Sequence, residues 1–295
     1  MFPGTMFQGL FTALITPFKN GKIDEKSLEK LIEHQIKNGA EGIVPCGTTG
    51  ESPTLTHEEH SKVIELCVEI AKKRIKVIAG TGSNSTLEAI EMTVDAEKLG
   101  ADGALLVAPY YNKPTREGIF KHFEAINNAT NLPLIIYNIP GRSVINISDE
   151  DIANLAKLKN IVGLKDATGD LARVATLKLL VEKDFAILSG EDATALGFNA
   201  MGGCGVISVT GNIAPKLVSD LQKATLKGDF TEALKIQDQL TTLHSAMFCQ
   251  TNPIPVKYAA HLMGFCESEI RLPLCEPSSE AKERIKKELK KLNLI

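Results

Sequence analysis

The residues best equipped for chemistry begin with a lysine. Lys165 ends the apolar run Ile161-Val162-Gly163-Leu164 and is followed by Asp166-Ala167-Thr168-Gly169. A short apolar run bounded by a turn signal reads as a strand buried on both faces, and lysine is rarely buried without a partner. Desolvation disfavours the ammonium form, and the neutral amine it leaves can attack a ketone and form a Schiff base. On that reading the chain makes or breaks carbon–carbon bonds. The competing reading is an exposed lysine one step past the strand. Side chains alternate along a strand, so Lys165 is expected to share a face with Gly163 and Ile161, Gly163 leaving space under the lysine stem. Tyr137 shares a face with Ile135 by the same parity. Neighbouring strands lie about 4.8 Å apart, so phenol and amine can meet; the alternative is a core tyrosine with its hydroxyl satisfied.

Two further features suit anions. Gly47-Thr48-Thr49-Gly50 carries two hydroxyls and at least four backbone N–H groups, a nest for a carboxylate or phosphate. No Gly-Lys-Ser/Thr follows it, so it is not a Walker loop, and a plain strand-to-helix turn is the simpler reading. Arg142, after Gly141, can pair bidentately with a carboxylate, or be a surface arginine. Glu51, Asp166, Glu191 and Asp192 fall at the same ends of their segments. Two of them could hold a divalent ion, but no ligand triplet has tight spacing and the six histidines are scattered, so no metal is expected. The six cysteines form no CxxC pair and read as reduced small hydrophobes.

These residues need a scaffold, and the chain advertises one. Apolar, β-branched runs at 10–15, 42–45, 76–79, 103–108, 134–137, 161–165, 186–189 and 205–209 alternate with helical patterns. Eight such units predict a (β/α)8 barrel of the α/β class, whose active sites lie at the C-terminal ends of the strands, where all the residues above fall. A doubly wound sheet is the alternative, weakened by the lack of GxGxxG after the first strand. Thr56-x-x-Glu59 and Ser85-x-x-Glu88 read as capping boxes, with Asp229-x-x-Glu232 a variant. Ser148 is expected to cap a helix at 149–158, and Gly39, Gly100 and Gly228 to terminate helices. The barrel domain is expected to span 1–226 and a helical C-terminal domain 227–295, packed on it without a linker. The basic stretch 282–291 reads as a solvated helix face.

Composition excludes several classes. A net charge of −3 gives no electrostatic reason for a nucleic acid or an anionic membrane as partner. The start, Met1-Phe2-Pro3-Gly4, opens no signal-peptide pattern, and no apolar segment approaches the ~18 residues of a membrane span. A cytoplasmic protein is expected.

With Gly47-Thr48-Thr49-Gly50-Glu51, Pro109-Tyr110-Tyr111, Tyr137-Asn138-Ile139-Pro140-Gly141-Arg142 and Lys165-Asp166-Ala167-Thr168-Gly169 in order, the chain resembles the pyruvate-dependent class I aldolase family. The resemblance runs from Phe7 to the C-terminus and includes Asn252-Pro253-Ile254-Pro255-Val256-Lys257. It implies that Lys165 condenses with pyruvate to give an enamine, which attacks the aldehyde of L-aspartate 4-semialdehyde at the start of lysine and diaminopimelate biosynthesis. Thr48 and Thr49 would hold the pyruvate carboxylate, Arg142 that of the semialdehyde, and Gly190 and Ile207 would line the pocket. Tyr137 would shuttle protons through Thr48 to Tyr111, the last entering from a neighbouring subunit, commonly within a homotetramer of paired dimers. A lysine Schiff base is itself an electron sink, so no cofactor is expected. A phenol alone is a poor shuttle, and a chain of hydroxyls polarises its members. Members of the family that cleave N-acetylneuraminate or 2-keto-3-deoxy sugar acids share the lysine, the tyrosine and the loop, but generally lack an arginine at 142. Their activity is the alternative. Ser52, His57, His60, Asn84, Glu88 and Tyr110 match positions where relatives bind L-lysine as an inhibitor, with Glu88 taking its α-amino group. Against that stand the capping role of Glu88 and the place of His57 and His60 in the first turn of an exposed helix.

Overall fold

The computed structural model describes residues 5–295; Met1 to Gly4, which open both the expected barrel domain and the N-terminal reading, lie outside the described residues. Each of the eight apolar runs becomes a strand: β1 Gly9–Ala13, β2 Gly42–Val44, β3 Lys76–Gly80, β4 Gly103–Val107, β5 Leu134–Asn138, β6 Ile161–Asp166, β7 Ala186–Ser189 and β8 Gly205–Ser208. All pairings within the barrel are parallel and follow chain order, and β1 closes the ring by pairing with both β2 and β8. Closure excludes the doubly wound alternative, whose sheet keeps two free edges.

Alternation along the strands builds two cores. Phe7, Phe11, Ile78, Leu105, Ile135, Leu188 and Ile207 fill the barrel, while Leu10, Ile43, Val77, Leu106, Ile136 and Leu164 face the surrounding helices. One stretch breaks the alternation. Leu134 pairs with Ile161, but Ile135 pairs with Gly163, so β6 carries an extra residue. A bulge of this kind flips the residues on one side of it to the opposite face. Ile161 therefore joins the outer core and Val162 packs against the inner one, contrary to the shared face expected of Ile161 and Lys165.

Helix ends follow the local chemistry with two departures. Thr56 and Glu59 form a complete capping box at the start of His57–Ala71. At Thr86–Lys98, Ser85 accepts from the Glu88 amide, but the Glu88 side chain does not return to Ser85; it goes to Ser83 and His57. Ser148 caps Asp149–Leu155, shorter than expected, because the chain turns off to bury Asn160 against Asn127 and Thr130. Gly39, Gly100 and Gly228 all have positive φ just past helix ends.

After Pro215–Leu226 come helices Phe230–Met247, Ile254–Leu262 and Ser279–Lys291. The last buries Ala281, Ile285 and Leu289 on one stripe and turns its lysines outward, as a solvated face should. Polar contacts at the barrel mouth also bind this extension, including Thr210 to His244 at 2.8 Å. All six cysteines are free, four of them buried. Among the described residues no helix is long and apolar enough to cross a membrane, and no group of three or more His, Cys, Asp or Glu is placed to hold a metal.

Candidate active site

The register of β5 and β6 sets the site. Tyr137 pairs with Lys165, and both side chains enter the barrel mouth, 6% exposed each. The lysine Nζ sits 4.1 Å from the centre of the phenol ring. Among the described residues no carboxylate lies within ion-pair distance of it. Burial pulls its pKa down to about 7; the charges of Asp192 and Glu191 only partly oppose this, and Arg142 adds to it. Burial pushes the Tyr137 phenol up to about 12, with Arg142 and a contact from the Thr48 hydroxyl pulling the other way. Near neutral pH the amine can thus shed its proton while the phenol facing it stays protonated, the states that nucleophilic attack on a ketone and proton donation to its oxygen require.

Room for the lysine comes from Gly190 rather than Gly163. A Cβ on Gly190 would lie 3.2 Å from Lys165 Cε and 2.9 Å from Ala167 Cβ. A Cβ on Gly163 would instead strike the Ala186 carbonyl of β7 at 2.8 Å. Gly163 serves strand approach, and Gly190 leaves room for the Lys165 stem. Ile207 is fully buried in the inner core below the mouth.

The loop after β2 folds into a tight turn, with Gly50 N donating to Gly47 O and Glu51 N to Thr48 O. That removes the Gly50 amide from the four N–H groups the sequence offers. The Thr49 hydroxyl accepts from Asn252 Nδ2 at 3.0 Å, and Asn252 O accepts from Arg142 at 3.0 Å. Asn252 therefore joins the loop to the arginine, although it lies 110 residues beyond Arg142. The one signal for it in the sequence was its place in the matching Asn252-Pro253 segment, which assigns no role. Arg142 rides a single turn, Pro140–Ser143, at the edge of the mouth.

The acidic residues do not converge on an ion. Glu51 pairs with Lys257. Asp166 accepts from the Thr168 hydroxyl and faces Arg173 at 3.4 Å. Asp192 accepts from Ser208 and from the amides of Val209 and Thr210, tying β7 to β8. Glu191 stays half-buried, its pKa raised by burial and then by Asp192.

A cavity of about 510 Å³ opens beside this site. Thr48, Tyr137 and Arg142 line one part of it, and Ser52, His57, His60, Glu88 and Tyr110 line another. Glu88 is held by His57 at 2.9 Å and by Ser83, which lowers its pKa, the Ser83 bond being the largest cause that does so. Ser83 is absent from the sequence-based set. Asn84 stands outside the lining and donates to Tyr110 O at 3.2 Å. His60 is buried, contrary to the exposed first turn expected for it, and its Nε2 bonds Gly80 O at 2.8 Å. Tyr111 is 90% exposed with φ 71°, and the single chain does not bring it to Thr48 or Tyr137.

Comparison with known proteins follows the same outline. A family model described as the dihydrodipicolinate synthetase family matches residues 6–292. A 4-hydroxy-tetrahydrodipicolinate synthase of Parvibaculum lavamentivorans is 58% identical over 95% of this chain and 96% of its own. The chloride-inhibited dihydrodipicolinate synthase of Acinetobacter baumannii, solved with pyruvate, superposes with a TM-score of 0.96 at 47% identity, covering 98% of this chain and 99% of that one. The Cyanidioschyzon merolae enzyme, solved with lysine bound, does so with a TM-score of 0.96 at 40% identity, over 99% and 100%.

Proposed function

Because the chain belongs to the dihydrodipicolinate synthetase family, we propose that it carries out the 4-hydroxy-tetrahydrodipicolinate synthase reaction, condensing pyruvate with L-aspartate 4-semialdehyde as a lyase of lysine and diaminopimelate biosynthesis. The observation that carries this reading is the buried, carboxylate-free amine of Lys165 against Tyr137. Its lone pair attacks the pyruvate ketone carbon, and the resulting carbinolamine loses water to give an imine. Loss of a methyl proton makes the enamine, whose carbon attacks the semialdehyde aldehyde. The semialdehyde's amino group then displaces Lys165 from the imine carbon, closing the ring and freeing the amine. Tyr137, still protonated near neutral pH, relays the protons these steps exchange.

Thr48 and Thr49 suit the pyruvate carboxylate, with Gly190 and Ile207 shaping the pocket. Arg142, free on one side of its bond to Asn252, suits the carboxylate of the semialdehyde. That guanidinium is what a short amino acid needs and a polyol does not, so cleavage of sialic or keto-deoxy sugar acids is not favoured. The test mixes pyruvate and the semialdehyde with a coupled reductase. Turnover is expected; none, together with cleavage of N-acetylneuraminate, overturns the reading.

The same reading puts L-lysine in the cavity arm lined by Ser52, His57, His60, Glu88 and Tyr110, beside Asn84, in the cytoplasm of the cell. Glu88, kept anionic by Ser83 and His57, suits its α-ammonium group. Activity unchanged by millimolar L-lysine would dispose of this site. The exposure of Tyr111 suits a residue that completes a neighbour's relay in a dimer, and pairs of dimers make the tetramer. Mixing Lys165→Ala with Tyr111→Phe protomers should restore activity, because each hybrid dimer then holds one intact site; no recovery argues for a self-sufficient chain.

A further inference from the structure

Glu51 ends the threonine loop in a conformation few side chains adopt, with φ 58°. Left-handed backbone at a non-glycine residue persists when its surroundings over-determine it. Here the surroundings come from the helical extension. Lys257, on Ile254–Leu262, forms an ion pair with Glu51 in which both side chains are 1% exposed. The second carboxylate oxygen accepts from the Arg271 amide at 3.1 Å. The Phe18 ring is flanked by both cations, Lys257 Nζ at 4.0 Å and the Arg271 guanidinium at 4.2 Å from its centre. Arg271 is itself held by Glu59 through two bonds of 2.6 Å and by Thr54 O at 2.7 Å. Five residues before Lys257, Asn252 donates to the Thr49 hydroxyl.

A buried pair of this kind is a poor source of stability, because desolving two charges offsets most of their attraction. What it does supply is direction. One oxygen of Glu51 answers the lysine and the other an amide, so its backbone has one place to sit, and its N–H reaches back to Thr48 O at 3.2 Å. We infer that the Glu51–Lys257 pair is a positioning device for the substrate's α-keto acid carboxylate, aiming Thr48 and Thr49 from the helical extension. This rests on the Schiff-base reading above. Neither side chain needs to touch substrate, and burial that opposes the lysine's charge keeps the pair dependent on both members.

The test reads pyruvate capture directly, as the borohydride-trapped adduct on Lys165 measured by mass spectrometry across pyruvate concentrations. Glu51→Asp keeps both charges but withdraws the carboxylate by one methylene; Glu51→Gln with Lys257→Met removes the charges together. Half-saturation is read well below each variant's melting temperature, where nearly all of the chain is folded, so that lost stability does not move it. Expected is a half-saturation raised at least about tenfold in the double variant, the scale of one charged hydrogen bond, and less in Glu51→Asp, with full labelling at saturating pyruvate. Wild-type half-saturation in both variants overturns the inference. No adduct on the wild-type protein overturns the Schiff-base reading instead, so the two failures are distinguishable.

Discussion

Two lysines are buried in this chain, one in the barrel and one in the helical extension, and their surroundings differ. Lys165 is 6% exposed and Lys257 is 1% exposed, and each Nζ lies over an aromatic ring, at 4.1 Å from the centre of Tyr137 and 4.0 Å from that of Phe18. Burial lowers the pKa of both. The difference is a carboxylate. Glu51 closes on Lys257, while Asp192, the acid whose charge acts most on Lys165, is engaged by β8 and stands outside ion-pair distance. Within one fold, one buried lysine has an acidic partner and the other has none at ion-pair distance among the described residues.

The strongest way to break this comparison is to remove each amine in turn. Lys165→Met should abolish turnover and the borohydride adduct, a loss of at least roughly a thousandfold, whereas Lys257 should never be labelled in the wild-type protein. An adduct on Lys257 would end the contrast. Stability should move the other way. Lys165 titrates near 7 folded and near 10.5 unfolded, so between those values the unfolded chain binds more protons and stability rises with pH. Lys165→Met escapes that cost: it should melt higher than wild type, by most below pH 7, with the margin closing toward pH 10.5. A constant margin would mean that packing, not charge, sets it. Adduct formation by the wild type should speed up as pH rises through about 7.

Lys257→Met leaves Glu51 buried and alone, and urea unfolding should show a loss of about 3–5 kcal/mol. Removing Glu51 as well should return most of it; if not, Lys257 stabilises through packing on Phe18. Tyr137→Phe keeps the ring beneath Lys165 and deletes its proton, so turnover should fall by roughly a hundredfold while the folded protein keeps its melting temperature. The smallest effect concerns the mouth. Arg142→Ala should raise KM for the semialdehyde by roughly ten- to a hundredfold and spare pyruvate capture, since its neighbour Asn252 still holds Thr49. Equal loss of both would make the arginine a structural brace.

Much of the site can be read from short stretches of chain. The strand rhythm predicts the barrel because parallel strands buried on both faces need continuous apolar runs, and a run that ends in lysine marks the end where the candidate site lies. The loop hydroxyls and Arg142 follow from the same rule. Reading by parity fails at Ile161, where one extra residue in β6 turns it outward, because a bulge depends on the register with Leu134 and leaves no local mark. Gly163 and Gly190 look alike in sequence, and only the neighbouring strand and the Lys165 stem tell them apart.

The amino-acid order alone therefore determined the number of barrel strands, most of the expected helix caps and which side chains could react, since each depends on contacts a few residues long. Tertiary structure decided which of two buried lysines lacks a counter-charge, that Glu51 pairs with Lys257, and that Asn252 reaches Thr49 across 203 residues. Charge state in a dry interior is set by whatever the fold brings within a few ångströms, and chain separation carries no record of that distance.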